Sequence, residues 1–201
     1  IQLDLLKKDY SHCRFITFPN YDSPSGQIVT NYLEGKYREE NNTVSAYTAS
    51  CFYAVDRYTS YKTDWEKDYL AETPIFSARY VSSNAIYQMT KLPRESWDEY
   101  MEWLFDTEYG KFVIPRPTGT IFLDMPVVVS RKLLLKRYNG DEKKLDIHES
   151  NLEFMSKCRE AAMYVAEKEN WRIIKCSTKD EPLPVDVIHN NIKKEIEDLL
   201  K

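Results

Sequence analysis

The chain has no CxxC pair. Its four cysteines, Cys13, Cys51, Cys158 and Cys176, are scattered through 201 residues. That spacing argues against a zinc site and a disulfide framework, and it fits a reduced, cytoplasmic setting. Three separated histidines, His12, His148 and His189, offer no metal set. No apolar run reaches transmembrane length and no stretch reads as a signal peptide. There is no G-x-x-x-x-G-K-[ST] phosphate loop, no internal repeat and no low-complexity tract. Basic charge is not in excess: 28 Lys and Arg stand against 32 Asp and Glu, a net charge of −4. Broad nucleic-acid binding is therefore not expected, and an anionic ligand would need a local basic cluster. Finally, there is no initiator Met. Helical spacing (Ile1, Leu3, Leu5, Leu6) begins at the first residue with nothing before it to cap a helix. This reads as a chain cut inside its first helix.

What is present is ordinary for a globular protein: 42% hydrophobic and 30% charged residues. At this length a single domain spanning residues 1–201 is expected. Predicted strands at Cys13–Phe18, Ile75–Ser77, Thr120–Asp124 and Arg172–Cys176 alternate with helices. The helices are expected over Ser23–Leu33, Tyr47–Leu70, Ser83–Lys91, Pro93–Phe105, Pro126–Arg137, Asp146–Lys168 and Val185–Leu200. Asp146 and Glu149 have capping-box spacing. Strands alternating with helices mean an α/β protein with a mostly parallel sheet and helices on both faces.

The most informative stretch is Pro74–Leu92, PIFSARYVSSNAIYQMTKL. A short strand ends there, Arg79 follows, and a helix carries Asn84, Tyr87 and Gln88. Ligands in open α/β sheets sit off the carboxyl ends of strands, where an Arg can hold a phosphate through two parallel hydrogen bonds. Asn84 and Gln88 share a helix face, and an amide offers one donor and one acceptor to a base edge. The plain alternative is a strand, a turn and a surface arginine. Tyr53 and Arg57 also share a helix face, suited to stacking on a base and hydrogen-bonding its edge; the alternative is a core tyrosine beside a surface arginine. Asp56-Arg57-Tyr58 looks like a phosphate motif but lies mid-helix and is set aside. Phe18-Pro19-Asn20-Tyr21 follows the first strand, a ligand-facing position. The basic set Lys132, Lys136, Arg137, Lys143 and Lys144 straddles a Gly-containing loop and could close over phosphates.

In order, FPNY, FYAVDRY, ARYVSSNAIYQ, IFLDMP and the KRYNGDEKK loop make the chain resemble thymidylate kinase, most nearly of the bacterial type, over nearly its whole length. The resemblance implies a P-loop-type nucleoside monophosphate kinase fold, three-layered, with strand order 2-3-1-4-5 and strand 1 missing from this chain. It implies phosphorylation of thymidine monophosphate by ATP with Mg2+. A homodimer is open, and no nucleic-acid or membrane partner is implied. Tyr53, or alternatively Phe52, would stack on thymine, and Arg57 would reach its carbonyl edge. Arg79 would grip the acceptor phosphate, and Asn84 would read the base beside Gln88. Tyr87 would lie under the deoxyribose, and Phe18 and Pro19 would shape the pocket. Lys136 and Arg137 would begin a lid, around residues 136–148, that closes on ATP.

Three departures accompany the resemblance. The family's phosphate loop precedes the first helix and is not in these 201 residues. The 201-residue chain alone is therefore expected to be inactive, the other reading being a catalytically dead nucleotide-binding or interaction protein of kinase descent. Ala78 stands where the family places an acid before the phosphate Arg, and the linker reads Pro115-Arg116-Pro117-Thr118 rather than Pro-Lys-Pro-Asp. FPNY also ends in Tyr21 where many members carry Arg. If the missing acid matters, Ala78→Asp in a chain carrying the phosphate loop raises turnover and changes ATP affinity less. Steady-state kinetics with no gain in turnover would assign that task to other groups.

Overall fold

In the computed structural model, which describes residues 1–37, 44–139, 141 and 151–200, each short strand finds one parallel partner. The chain divides into two compact units, Ile1–Arg116 and Pro117–Lys201, at the predicted proline linker.

In the first unit, β1 (Arg14–Thr17) pairs with β2 (Ile75–Ala78), running from Arg14 opposite Ile75 to Thr17 opposite Ala78. Stacked Phe15 and Phe76 rings, with centroids 5.2 Å apart, join the pair side by side. The helices are α1 (Gln2–Asp9), α2 (Pro24–Leu33), α3 (Ala46–Ser60), α4 (Glu66–Leu70), α5 (Val81–Tyr87) and α6 (Trp97–Phe105). Ser23 and Ser45 cap α2 and α3 by accepting from the Gly26 and Thr48 N–H groups, which satisfies donors that a helix start leaves unpaired. The long helix expected over Tyr47–Leu70 is interrupted by a π-helical turn, Tyr61–Trp65. In this wider turn Tyr61 and Trp65 both pack inward, whereas α4 beyond it buries nothing. A second π-helical segment, Asp106–Lys111, extends α6 past its expected end at Phe105.

In the second unit, β3 (Ile121–Asp124) pairs with β4 (Arg172–Lys175), Ile121 opposite Arg172 and Asp124 opposite Lys175. Around them lie α7 (Val127–Arg137), α8 (Leu152–Lys168) and α9 (Val185–Leu199). Pro126 sits at the N-cap of α7 rather than in its first turn. The described part of α8 starts after an Asn151 cap, and the Asp146/Glu149 box lies outside the described residues. Ile188, Ile192 and Ile196 form the buried stripe of α9, against a core that includes Val165 and Ile174. The pairs β1–β2 and β3–β4 are the 2–3 and 4–5 neighbours of the expected strand order. Among the described residues, no helix is long and apolar enough to cross a membrane.

One close approach fixes the turn after β1. A Cβ on Gly26 would lie 1.8 Å from the Asn20 carbonyl oxygen, so only glycine lets the Pro19–Asp22 turn rest on the start of α2. Gly26→Ala should lower stability by about 1–3 kcal/mol through the forced shift of that turn, read as a lower denaturation midpoint.

Candidate functional site

A buried ion pair sits where three helical segments meet. Arg57 on α3 and Glu108 on the π-helical extension of α6 are 1% and 0% exposed. Glu108 Oε2 accepts from Arg57 Nε and Oε1 from Arg57 Nη2, both at 2.6 Å, while Nη1 reaches the Tyr80 carbonyl at 3.5 Å. Burial alone would favour loss of the guanidinium charge. The carboxylate beside it more than offsets this and holds the Arg57 pKa above its ordinary value. Asn84, also buried, donates from Nδ2 to the Ser50 carbonyl at 3.2 Å and to Glu108 Oε1 at 3.4 Å. The Tyr100 hydroxyl closes the network on Ser50 Oγ at 2.6 Å. Arg57 is thus not the surface arginine of the plainer reading.

Arg79 follows β2 with φ 69°, a left-handed conformation that costs a non-glycine residue about 1–3 kcal/mol and recurs at ligand-binding positions. Its exposed guanidinium lies 5.3 Å from the centroid of the half-buried Tyr87 ring. Tyr53, half-buried on α3, lies within electrostatic reach of both arginines. Burial raises its hydroxyl pKa, Tyr32 and Tyr21 add to the rise, and Arg79 and Arg57 oppose it. Phe52 packs on Tyr32 and Tyr37, with centroids 5.8 and 5.3 Å away, and Tyr53 also meets Tyr32 edge-on at 6.2 Å. Gln88, buried at the end of α5, leaves Oε1 without a hydrogen-bond partner among the described residues.

Asp56, adjacent to Arg57, serves a different element. Its carboxylate accepts from the Asn20 N–H at 2.9 Å and the Ser25 hydroxyl at 2.9 Å, with Ser23 Oγ at 3.2 Å. Within the Asp-Arg-Tyr triplet, Asp56 is therefore internal scaffolding, whereas Tyr58 is exposed. Phe18 is buried 5.9 Å from the Tyr80 ring, centroid to centroid, and Pro19 beside it is half-buried. These residues all belong to the first unit. In the second unit, Lys136 and Arg137 are exposed in the last turn of α7. Lys143, Lys144 and most of the expected lid lie outside the described residues. Asp124, at the end of β3, is held by Arg159 in two hydrogen bonds of 2.7 and 2.8 Å. Among the described residues no three His, Cys, Asp or Glu side chains are grouped to hold a metal ion, so none is assigned to magnesium.

Residues 1–191 match the family model described as thymidylate kinase. The chain belongs to the thymidylate kinase family. It is 24% identical over 165 residues, 82% of this chain and 75% of the relative, to a probable thymidylate kinase of Pyrobaculum aerophilum. A solved thymidylate kinase from Candida albicans superposes with a TM-score of 0.67 at 19% identity, covering 98% of this chain and 84% of that one. The fold is the P-loop nucleoside monophosphate kinase α/β fold. The family is one of phosphotransferases and implies thymidylate as acceptor and ATP as donor.

Glu108 is not among the residues that the sequence singles out. The signal was there: Trp97, Tyr100, Met101 and Leu104 are the buried stripe of α6, and four residues on that stripe reaches Glu108. A carboxylate on a core stripe calls for a buried partner. Arg57→Met should therefore destabilise the chain by about 3–5 kcal/mol, because Glu108 is left buried and unpaired. Adding Glu108→Leu should recover much of that loss in a denaturation double-mutant cycle.

Proposed function

We propose that the protein transfers the ATP γ-phosphoryl group to thymidine monophosphate, giving thymidine diphosphate for dTTP synthesis. The supporting observation is that Tyr53 lies within electrostatic reach of both Arg57 and Arg79. One tyrosine thus lies near both a buried guanidinium suited to a base edge and an exposed one suited to a phosphate. Tyr53 stacks on thymine in this reading: it meets Tyr32 edge-on with centroids 6.2 Å apart, whereas Phe52 packs on both Tyr32 and Tyr37. Arg57 donates to O4, and Asn84, whose nitrogen is committed to Ser50 and Glu108, offers Oδ1 to the N3–H. Both are almost fully buried in the free chain, so base contact requires side-chain movement at the mouth of the site. Gln88 brings its unpaired Oε1 to the same base side. Tyr87, under Arg79, faces the deoxyribose, where a 2′-hydroxyl would collide. Phe18 and Pro19 shape the near wall.

Arg79, Lys136 and Arg137 are the proposed catalytic cations, acting through positioning and charge neutralisation as phosphoryl transfer requires. ATP supplies the phosphoryl group and Mg2+ accompanies it. Lys136 and Arg137 open the lid in a single kinase domain of the bacterial type, in a cytoplasmic enzyme for which a homodimer is one assembly. A second reading, a nucleotide-binding protein without phosphoryl transfer, is favoured by Ala78 standing in the acid's place. It also covers a chain inactive as these 201 residues alone, which carry no G-x-x-x-x-G-K-[ST] loop. Turnover with ATP and thymidylate separates the two.

Arg79→Ala tests the acceptor site. A charge-assisted hydrogen bond is worth about 1.5–3 kcal/mol, so thymidylate affinity should fall about tenfold or more while thymidine affinity holds. Equal losses for both ligands in calorimetry would move Arg79 away from the phosphate.

A further inference from the structure

We infer that Glu108 is a positioning residue that sets base selectivity: it makes the site accept a pyrimidine with an N3–H donor and an O4 acceptor, and reject one with an N3 acceptor and an N4 amine. This rests on the thymidylate reading above and extends it to a residue that the reading does not use.

A carboxylate only accepts hydrogen bonds. Glu108 takes the Nε and Nη2 hydrogens along one side of the Arg57 fork, each at 2.6 Å. The guanidinium is planar and its donors are fixed in direction, so this side-on grip sets the orientation of the other edge, Nη1 and the second hydrogen of Nη2. Glu108 and the Ser50 carbonyl together decide how the Asn84 amide is turned. The two groups nearest Asn84 Nδ2, the Ser50 carbonyl oxygen and Glu108 Oε1, have no hydrogen to give. Turning the amide over would set oxygen against both. The acid therefore fixes a donor edge on Arg57 and, with the Ser50 carbonyl, leaves Asn84 Oδ1 as an acceptor. Thymine matches that pattern with O4 and N3–H. Cytosine inverts it, setting amine against guanidinium and N3 against Oδ1. Arg57, Asn84 and Glu108 are 1%, 2% and 0% exposed, so little water is at hand to relieve a mismatch, and sites of that kind discriminate strongly.

The test is calorimetry on the chain with thymidine, deoxyuridine and deoxycytidine monophosphates. The parent should prefer thymidylate to deoxycytidylate by on the order of a hundredfold. In Glu108→Gln an amide hydrogen faces Arg57 or Asn84, so the side-on grip on Arg57 is lost and the Ser50 carbonyl is left to hold the Asn84 amide by itself. The preference should drop about tenfold or more, while the ratio of thymidylate to deoxyuridylate, which share one edge, holds. A variant that weakens all three ligands alike leaves the ion pair purely structural and overturns the inference. Glu108→Asp keeps the acceptor character but withdraws it by one methylene. It should weaken thymidylate about tenfold with the cytosine discrimination kept, and it carries the test if the Gln variant does not fold. Unchanged thymidylate affinity in Glu108→Asp, or loss of its discrimination, overturns the inference too. Arg79→Ala separates the two levels: it should weaken all three monophosphates equally. If the parent binds no thymidylate, or binds it unaffected by Arg79→Ala, the proposed function itself fails. If Arg79→Ala behaves as expected and Glu108→Gln leaves the ratio unchanged, only the role of Glu108 fails.

Discussion

Two opposite charges removed from water are stable only if each satisfies the other, and the first unit is arranged around meeting that condition for Arg57 and Glu108. Desolvation costs several kcal/mol per ion and is repaid only by close, multiply hydrogen-bonded geometry. The side-on pairing, the further Asn84 donor and the long contact to the Tyr80 carbonyl supply that geometry. Each contribution comes from a different segment: α3, α5, the entry to α5 and the extension of α6. The pair therefore ties the elements that surround the candidate site to one another.

α3 carries two such duties on neighbouring residues. Asp56 holds the turn after β1 through the Asn20 N–H and the Ser25 hydroxyl, while Arg57 holds Glu108. Adjacent positions on a helix point about 100° apart, so one helix can register the Phe18–Pro19 wall and the arginine site together. Gly26 makes the same turn possible by leaving room for the Asn20 carbonyl. Arg79, by contrast, is exposed and strained at the end of β2, which suits a group waiting for an anion rather than one holding the fold.

In the proposed reading the base side of the acceptor site has a complete set of partners within the first unit, and the phosphate side is thinner. Ala78 brings no carboxylate beside Arg79, and Tyr21 brings no cation to the turn after β1. The cations of α7 stand exposed in the second unit. In that reading base recognition rests on the first unit, while Arg79 serves both the acceptor phosphate and transfer.

Sequence alone determined the alternation of strands and helices and the helix-face pairs Tyr53/Arg57 and Asn84/Gln88. These follow from periodicity and from chain-breaking residues, which act locally. Motif order and spacing also carried the family. Tertiary structure alone decided the burial of Arg57, the wider turns at Tyr61–Trp65 and Asp106–Lys111, and the ring contacts of Phe52 and Tyr53. Two of the three answer to partners far away in sequence: the acid that Arg57 finds stands 51 residues further on, and Phe52 is turned toward Tyr32 and Tyr37 on the preceding elements. A helical period shows which residues share a face. It does not show which distant group that face will meet, and for a buried charge the meeting decides everything.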